Sequence, residues 1–319
     1  MRRLAVGAVL LIHSIISYSN TSDSLLVAFW NLENFFDWTD TSTGQSDRDF
    51  SYSGNRRWTR NRFYIKCDAV AKTIISMADS YGRIPDVIGF AEIENRGVLE
   101  KLIRSTLLRK YDYEIIHYDS SDRRGIDVAL IYRKSSFRYL GSRTFTPYDE
   151  GVPVRTRDIL LVSLEESTGR RLEFLVNHHP SKYGGEKASE KRRKIVMDKL
   201  VFLCDSLENN SVSDAVIAMG DFNETPDSDN FRPLDRIMFN HGEKKFRRGE
   251  GTIRYEGRWE LIDIFFTDYD LDCNMFIYKP YFLMTWDNVY AGYKPLRTYS
   301  GPRYIGGVSD HLPIVLMFD

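Results

Sequence analysis

Eight short apolar runs punctuate the chain: Leu25–Trp30, Asp86–Ala91, Ile126–Tyr132, Ile159–Leu164, Leu172–Val176, Ala215–Met219, Leu261–Phe266 and Pro313–Phe318. Rich in Val, Ile and Phe and bounded by Gly, Asp, Asn or Pro, they predict strands buried on at least one face. Three longer stretches space their apolar residues as helices do. The first carries Phe63, Cys67, Val70, Ala71, Ile74, Ile75 and Ala78, and the second Val98, Leu99, Leu102, Ile103 and Leu107. The third runs through Ile195, Val196, Leu200, Leu203, Cys204 and Leu207, with Lys199 inside it. Many strands with a few helices between them predict a layered α/β domain rather than an all-β sandwich. Residues 39–61 and 240–258 are polar and read as long surface loops, the second of them basic. No repeat, Pro-rich linker or composition break divides the chain, so one domain over residues 20–319 is expected.

The amino terminus stands apart. Met1-Arg2-Arg3 leads into an apolar run from Leu4 to Ile16, followed by small residues at Ser17 and Ser19. This pattern predicts a secretory signal peptide over residues 1–19, and hence export to a periplasm or beyond. The run is shorter than the roughly 20 apolar residues a membrane span requires, so no stable membrane insertion is expected.

Composition narrows the function classes. With 42% apolar and 28% charged residues in 319, the chain can bury a core without covalent staples. Its three cysteines, Cys67, Cys204 and Cys273, are too few for a disulfide scaffold and too widely spaced for a Cys-x-x-Cys metal site. The 44 basic residues against 45 acidic ones exclude a protein that coats polyanions by bulk attraction. Recognition must therefore rest on a local site.

Polar residues cluster where the predicted strands end. Trp30-Asn31-Leu32-Glu33-Asn34 closes the first run and Glu92-Ile93-Glu94-Asn95 the second; Asn177-His178-His179 follows Leu172–Val176. Gly220-Asp221-Phe222-Asn223 follows Ala215–Met219, and Ser309-Asp310-His311 precedes the last run. Asp263 lies within an apolar run, where a carboxylate needs a partner. Strand ends meeting at one sandwich edge would gather all of these in one cleft.

The ordered set Trp30-Asn31-x-Glu33, Glu92, Asn177-His178, Gly220-Asp221-Phe222-Asn223, Asp263 and Ser309-Asp310-His311 resembles the endonuclease/exonuclease/phosphatase superfamily. The resemblance runs from about Leu25 to the carboxyl terminus. It implies a four-layered α/β sandwich, two packed mixed sheets flanked by helices, and a metal-dependent phosphodiesterase or phosphatase. By the same resemblance, Glu92 with Asn31, Glu33 and Asp310 would hold Mg²⁺, or alternatively Mn²⁺, through hard oxygen atoms. Asp221 looks like the group that activates water, with Asn223 beside it. His311 looks like the phosphoryl-oxygen donor oriented by Asp263, and His178 like the second histidine. The adjacent His179 leaves a register ambiguity of one residue.

Lys182, Arg155 and Arg247, in or near basic segments, are candidate phosphate contacts. The same cations read equally as solvated surface charge, and loop aromatics such as Trp286 and Tyr293 read as base-stacking groups or as caps on apolar surface. A phosphate-ester substrate is expected, a nucleic acid among the candidates. The rival readings are a phosphatase or phospholipase-type esterase acting on inositol phosphates or lipid head groups, and a catalytically silent binding module.

Overall fold

The computed structural model describes residues 25–39, 46, 48–182, 186–209 and 213–318, with side chains throughout except at 186–188. The expected signal peptide at 1–19 lies outside the described residues, as does part of the 39–61 segment.

Twelve strands build two six-stranded mixed sheets. They are β1 Leu26–Phe35, β2 Val87–Ile93, β3 Tyr113–His117, β4 Asp127–Arg133, β5 Phe137–Phe145, β6 Ile159–Glu166, β7 Arg171–His178, β8 Ala215–Asp221, β9 Phe239–Asn240, β10 Asp263–Thr267, β11 Cys273–Ile277 and β12 Ile314–Phe318. The first sheet has the order β11-β12-β1-β2-β4-β3 and the second β9-β10-β8-β7-β6-β5. Helices α1 Arg60–Tyr81 and α2 Arg96–Ser105 cover the first sheet, and α3 Glu186–Asn209 covers the second. Thr59 caps α1 by accepting the Arg62 amide, Asn95 caps α2 by accepting the Val98 amide, and Gly82 ends α1 at φ 75°.

Strand alternation sorts side chains into three cores. On β1, Leu26, Ala28, Trp30 and Leu32 face the helices, while Val27 and Phe29 face the other sheet. On β8, Ala215, Ile217 and Met219 face the first sheet, and Val216 and Ala218 face α3. The result is helix, sheet, sheet, helix, the four-layered sandwich expected. At Gly89 the sheets lie so close that a Cβ would stand 3.0 Å from Met219.

All eight predicted strands are present, but β3, β5, β9 and β11 were not anticipated. These four are the sheet edges. An edge strand carries more polar residues because one of its sides faces solvent, as Arg138, Ser142 and Arg143 do in β5. The two expected loops also need correction. Trp58 is buried and donates its indole N–H to the Phe36 carbonyl at 2.7 Å, so 48–61 packs into the helix-side core. The 240–258 segment contains a helical turn, α4 Glu243–Arg247, and a strand, Ile253–Tyr255, paired with Arg258–Glu260. Cys67, Cys204 and Cys273 are all buried, the first two in different cores.

Candidate active site

The apolar rows between the sheets end at one edge, and polar residues continue them. Leu172, Phe174 and Val176 line the inter-sheet core on β7, and His178 is next in that row. Ile217 and Met219 lead to Asp221 on β8, Phe265 shares its face with Asp263 on β10, and Val27 and Phe29 lead to Asn31 on β1. β1, β2, β7 and β8 arrive at this edge with their carboxyl ends. The antiparallel β10 and β12 start there, which brings Asp263 and the preceding His311 to the same place. His179 falls on the opposite face of β7, stacked edge-on against Phe222. Strand period alone thus assigns the cleft to His178.

Glu92 reaches the cleft by a different device. Phe90 and Ile93 both face the helices, so Glu92 is an extra residue, and the β2–β4 register shifts there. Its φ of 62° turns the side chain toward the cleft, where its carboxylate accepts the Asn34 amide at 2.7 Å. Glu33 and Asn34, at φ 45° and 51°, form the matching irregularity in β1, and Asn223 follows Asp221 at φ 53°. Four non-glycine residues in left-handed conformation at one edge are a strained feature of the kind that gathers at functional sites.

The polar groups form a continuous network. Asn31 donates Nδ2–H to Asp221 Oδ2 at 2.9 Å, and Asp221 Oδ1 accepts the Asn223 amide at 2.9 Å. His178 Nε2 lies 3.6 Å and His311 Nε2 3.8 Å from Asp221 Oδ2. His311 Nδ1 and Asp263 Oδ2 are 2.8 Å apart, so the carboxylate sets the ring orientation. One ligand atom each from Asp221, Asp263 and His311 lies within 4.8 Å of the others. Ser309 ties this network to β1, donating to the Asn31 carbonyl at 2.6 Å and accepting the His311 amide at 3.0 Å.

Burial and charge set the protonation states. Burial pushes the Asp221 carboxyl up to about 7, with Asp263 adding to it and His311 opposing it. Burial alone would lower His311, but Asp263 and Asp221 raise it well above the ordinary histidine value. His178 is held well below that value by burial and by Arg157 and Arg124. Glu92 would be raised by burial, yet Arg124 and the Asn34 amide hold it below the usual glutamate range.

Cations that sequence reasoning passed over frame the site. Arg124 Nη2 lies 3.2 Å from Glu92 Oε1. Arg297 spans Glu33 Oε1 at 3.2 Å and Asp310 Oδ2 at 2.9 Å, while Glu33 Oε2 accepts the Thr298 amide. The buried Lys66 donates to the Glu33 carbonyl at 2.7 Å and to Thr298 Oγ1 at 3.0 Å. Its place between Phe63 and Val70 on an apolar helix face was the one available signal, since a lysine there needs a buried acceptor. Arg157, not Arg155, is the buried arginine: it donates to the His178 and His179 carbonyls and pairs with Asp122 at 2.9 Å.

The candidate phosphate contacts are not gathered here. Arg155 and Lys182 are exposed, and Arg247 pairs with Glu243 on its own helical turn. In the basic stretch after His178, Lys191 pairs with Asp149, Arg193 with Glu224 and Lys194 with Asp198. Among the described residues of this stretch these three cations are ion-paired, while Lys182 and Arg192 are exposed. The oxygen donors Glu92, Asn31, Glu33 and Asp310 suit a hard divalent cation; Arg297 bridges Glu33 and Asp310, and Arg124 pairs with Glu92.

Comparison with known proteins places the fold among solved structures. The human Nocturnin catalytic domain with bound sulfate superposes with a TM-score of 0.56 at 15% identity, over 93% of this chain and 94% of that one. A Bacteroides thetaiotaomicron mannosyl-6-phosphatase gives 0.58 at 15% identity, over 92% and 98%. D. rerio TDP2 complexed with a single-strand DNA product gives 0.55 at 14% identity, over 93% and 99%. No curated protein matches the sequence. The family model described as the Endonuclease/Exonuclease/phosphatase family matches residues 26–319, and the chain belongs to that family.

Proposed function

We propose that this protein is an exported, divalent-metal-dependent phosphoesterase, acting as a nuclease-like phosphodiesterase. The observation that carries the reading is the Asn31–Asp221–His311–Asp263 network with His178 against Asp221. Asp221, raised to about 7, is poised to take a proton from an attacking water at neutral pH while Asn31 holds its other lone pairs in place. Asn223 is pinned by its own side-chain bond to the His179 carbonyl at 3.0 Å, which fixes the turn that aims Asp221. His311, its Nδ1 proton held by Asp263, presents Nε2–H to a phosphoryl oxygen. His178 offers a second contact on the other side of Asp221. Glu92, with Asn31, Glu33 and Asp310, would hold Mg²⁺ or Mn²⁺, which supplies Lewis-acid polarisation of the phosphoryl group when bound.

One observation favours a second reading, a phosphatase or head-group esterase. Among the described residues Lys191, Arg193, Lys194 and Arg247 are each paired with a carboxylate, which reduces the cationic charge offered to a long polyanion. Family neighbours support both readings, since one is a sugar phosphatase and another was solved with a DNA product. Among the described residues no helix is long and apolar enough to cross a membrane.

The test is an assay with Mg²⁺ and with EDTA on plasmid DNA, RNA, bis(p-nitrophenyl) phosphate, inositol phosphates and sugar phosphates. EDTA-sensitive cleavage of a diester supports the first reading, and turnover of monoesters alone selects the second. No metal-dependent turnover of any of these would falsify the enzyme assignment. Asp221→Asn and His311→Ala are each expected to lower kcat by at least about 10²-fold, the loss typical of one transition-state contact. Export is tested by amino-terminal sequencing of the mature protein; an intact Met1 in the exported fraction counts against a cleaved signal.

A further inference from the structure

A second cluster of metal-ligating side chains sits apart from the catalytic network, where β3 leaves the first sheet and β4 enters it. His117 is the last residue of β3 and pairs in register with Ala129, which puts Asp127, two residues along β4, on the same face. Asp119 lies two residues beyond His117 and returns to that face. One ligand atom from each of His117, Asp119 and Asp127 lies within 4.8 Å of the other two.

The histidine is what makes this more than a pair of surface acids. Its side chain is only 3% exposed. Its Nε2 is sealed from solvent and makes no hydrogen bond, although Asp127 Oδ2 lies 3.3 Å away; Nδ1 lies 3.9 Å from Asp119 Oδ1. A buried ring nitrogen that makes no hydrogen bond, even with a carboxylate beside it, costs on the order of 1–3 kcal/mol. Asp127 is already fixed, because its Oδ1 accepts the Ser120 amide at 2.9 Å and leaves Oδ2 turned to the histidine. Asp119 is exposed and free to swing inward. One imidazole and two carboxylates, with room for water on the exposed side, are a donor set for a first-row divalent cation such as Zn²⁺.

We propose that His117, Asp119 and Asp127 form a second divalent-cation site that clips the 118–126 loop shut. The consequence reaches the catalytic cleft through the loop itself. Asp122 pairs with the buried Arg157 at 2.9 Å, and Arg124 reaches Glu92 at 3.2 Å. A cation at the base of the loop holds both residues where those contacts form. The proposal does not depend on the phosphoesterase reading, because its ligands lie outside the catalytic set.

The probe is Zn²⁺ alone, titrated calorimetrically into the full chain, into Glu92→Gln and into Asp119→Ala. Asp119 is a surface residue, so its loss leaves the fold intact. The expected result is a binding event that Glu92→Gln retains and that Asp119→Ala weakens by about 10–100-fold, as loss of a metal-site group typically does. In parallel, Zn²⁺ is expected to slow tryptic cleavage after the exposed Arg123 in Glu92→Gln but not in Asp119→Ala. Absence of Zn²⁺ binding in Glu92→Gln overturns the proposal and leaves a simple His–Asp pair. Equal affinity in Asp119→Ala overturns it too, by placing the ion elsewhere.

Discussion

Arg157 shows how a single side chain can hold a site it never enters. Its guanidinium donates to two successive carbonyls, those of His178 and His179, at 3.1 and 2.5 Å, and pairs with Asp122. The carbonyls belong to the end of β7, so the arginine fixes the strand end that carries His178. Both ions of the pair are buried, at 5% and 8% side-chain exposure, and removing one leaves the other uncompensated. Arg157→Leu is therefore expected to cost about 3–5 kcal/mol, measured by urea unfolding, and to lower activity. Arg157→Lys should recover only part of the stability, since a lysine lacks the planar fork that reaches two carbonyls at once. An Arg157→Leu protein as stable as the parent would mean that the pair contributes nothing. The candidate catalytic residues were legible in the sequence because they sit beside recognisable apolar runs. Arg124, Arg157, Arg297 and Lys66 were not, because their partners are 13 to 264 positions away along the chain and only the fold brings the two together.

At the scale of elements, the site depends on strands that keep their period and on two places where they break it. Alternation carries Asn31, His178, Asp221 and Asp263 into the cleft as continuations of apolar rows. The bulge at Glu92 and the turn of β1 at Glu33 and Asn34 add residues that regular alternation would have placed elsewhere. Gly220 marks how tightly β7 and β8 are joined. A Cβ there would stand 2.4 Å from the Asn177 carbonyl oxygen and 2.7 Å from the Asn177 Cβ. Gly220→Ala is expected to force the two strands apart next to Asp221, costing about 1–3 kcal/mol by overpacking and lowering kcat. Calorimetric unfolding with parallel kinetics checks this, and an unchanged Tm would show that the strands yield freely. The edge strands β3, β5, β9 and β11 were hidden from the sequence for the converse reason. Half of each faces solvent, so its residues lack the continuous apolar run that identifies a central strand.

For the molecule as a whole, a histidine that folds neutral contributes a loss of stability in acid, against the raised Asp221 and Glu33, which gain protons on folding. His241 is buried between Thr267, whose hydroxyl lies 2.9 Å from its Nε2, and Phe239, and burial lowers its pKa to about 4. Unfolding returns it to about 6.5. Above that value both states are neutral and stability is at its full level. Between 6.5 and 4 the unfolded chain binds a proton that the folded one refuses, and stability falls as the pH drops. His241→Gln is expected to flatten the decline of Tm over this window without changing the curve above pH 7. A parallel decline in both proteins would assign the acid sensitivity to other groups.

The sequence by itself determined a layered α/β domain, its central strands, its three helices and the identity of the polar residues at the strand ends. Each of these is encoded locally, in a period of two or 3.6 residues or in a short motif. Tertiary structure alone decided which arginine is buried and which basic residues are paired with acids. It also buried the acidic cluster of Glu33, Glu92, Asp221 and Asp263 that the net charge of −1 conceals. Pairing across the sandwich is a property of distance in space, and a linear chain carries no record of that distance until its apolar rows have packed.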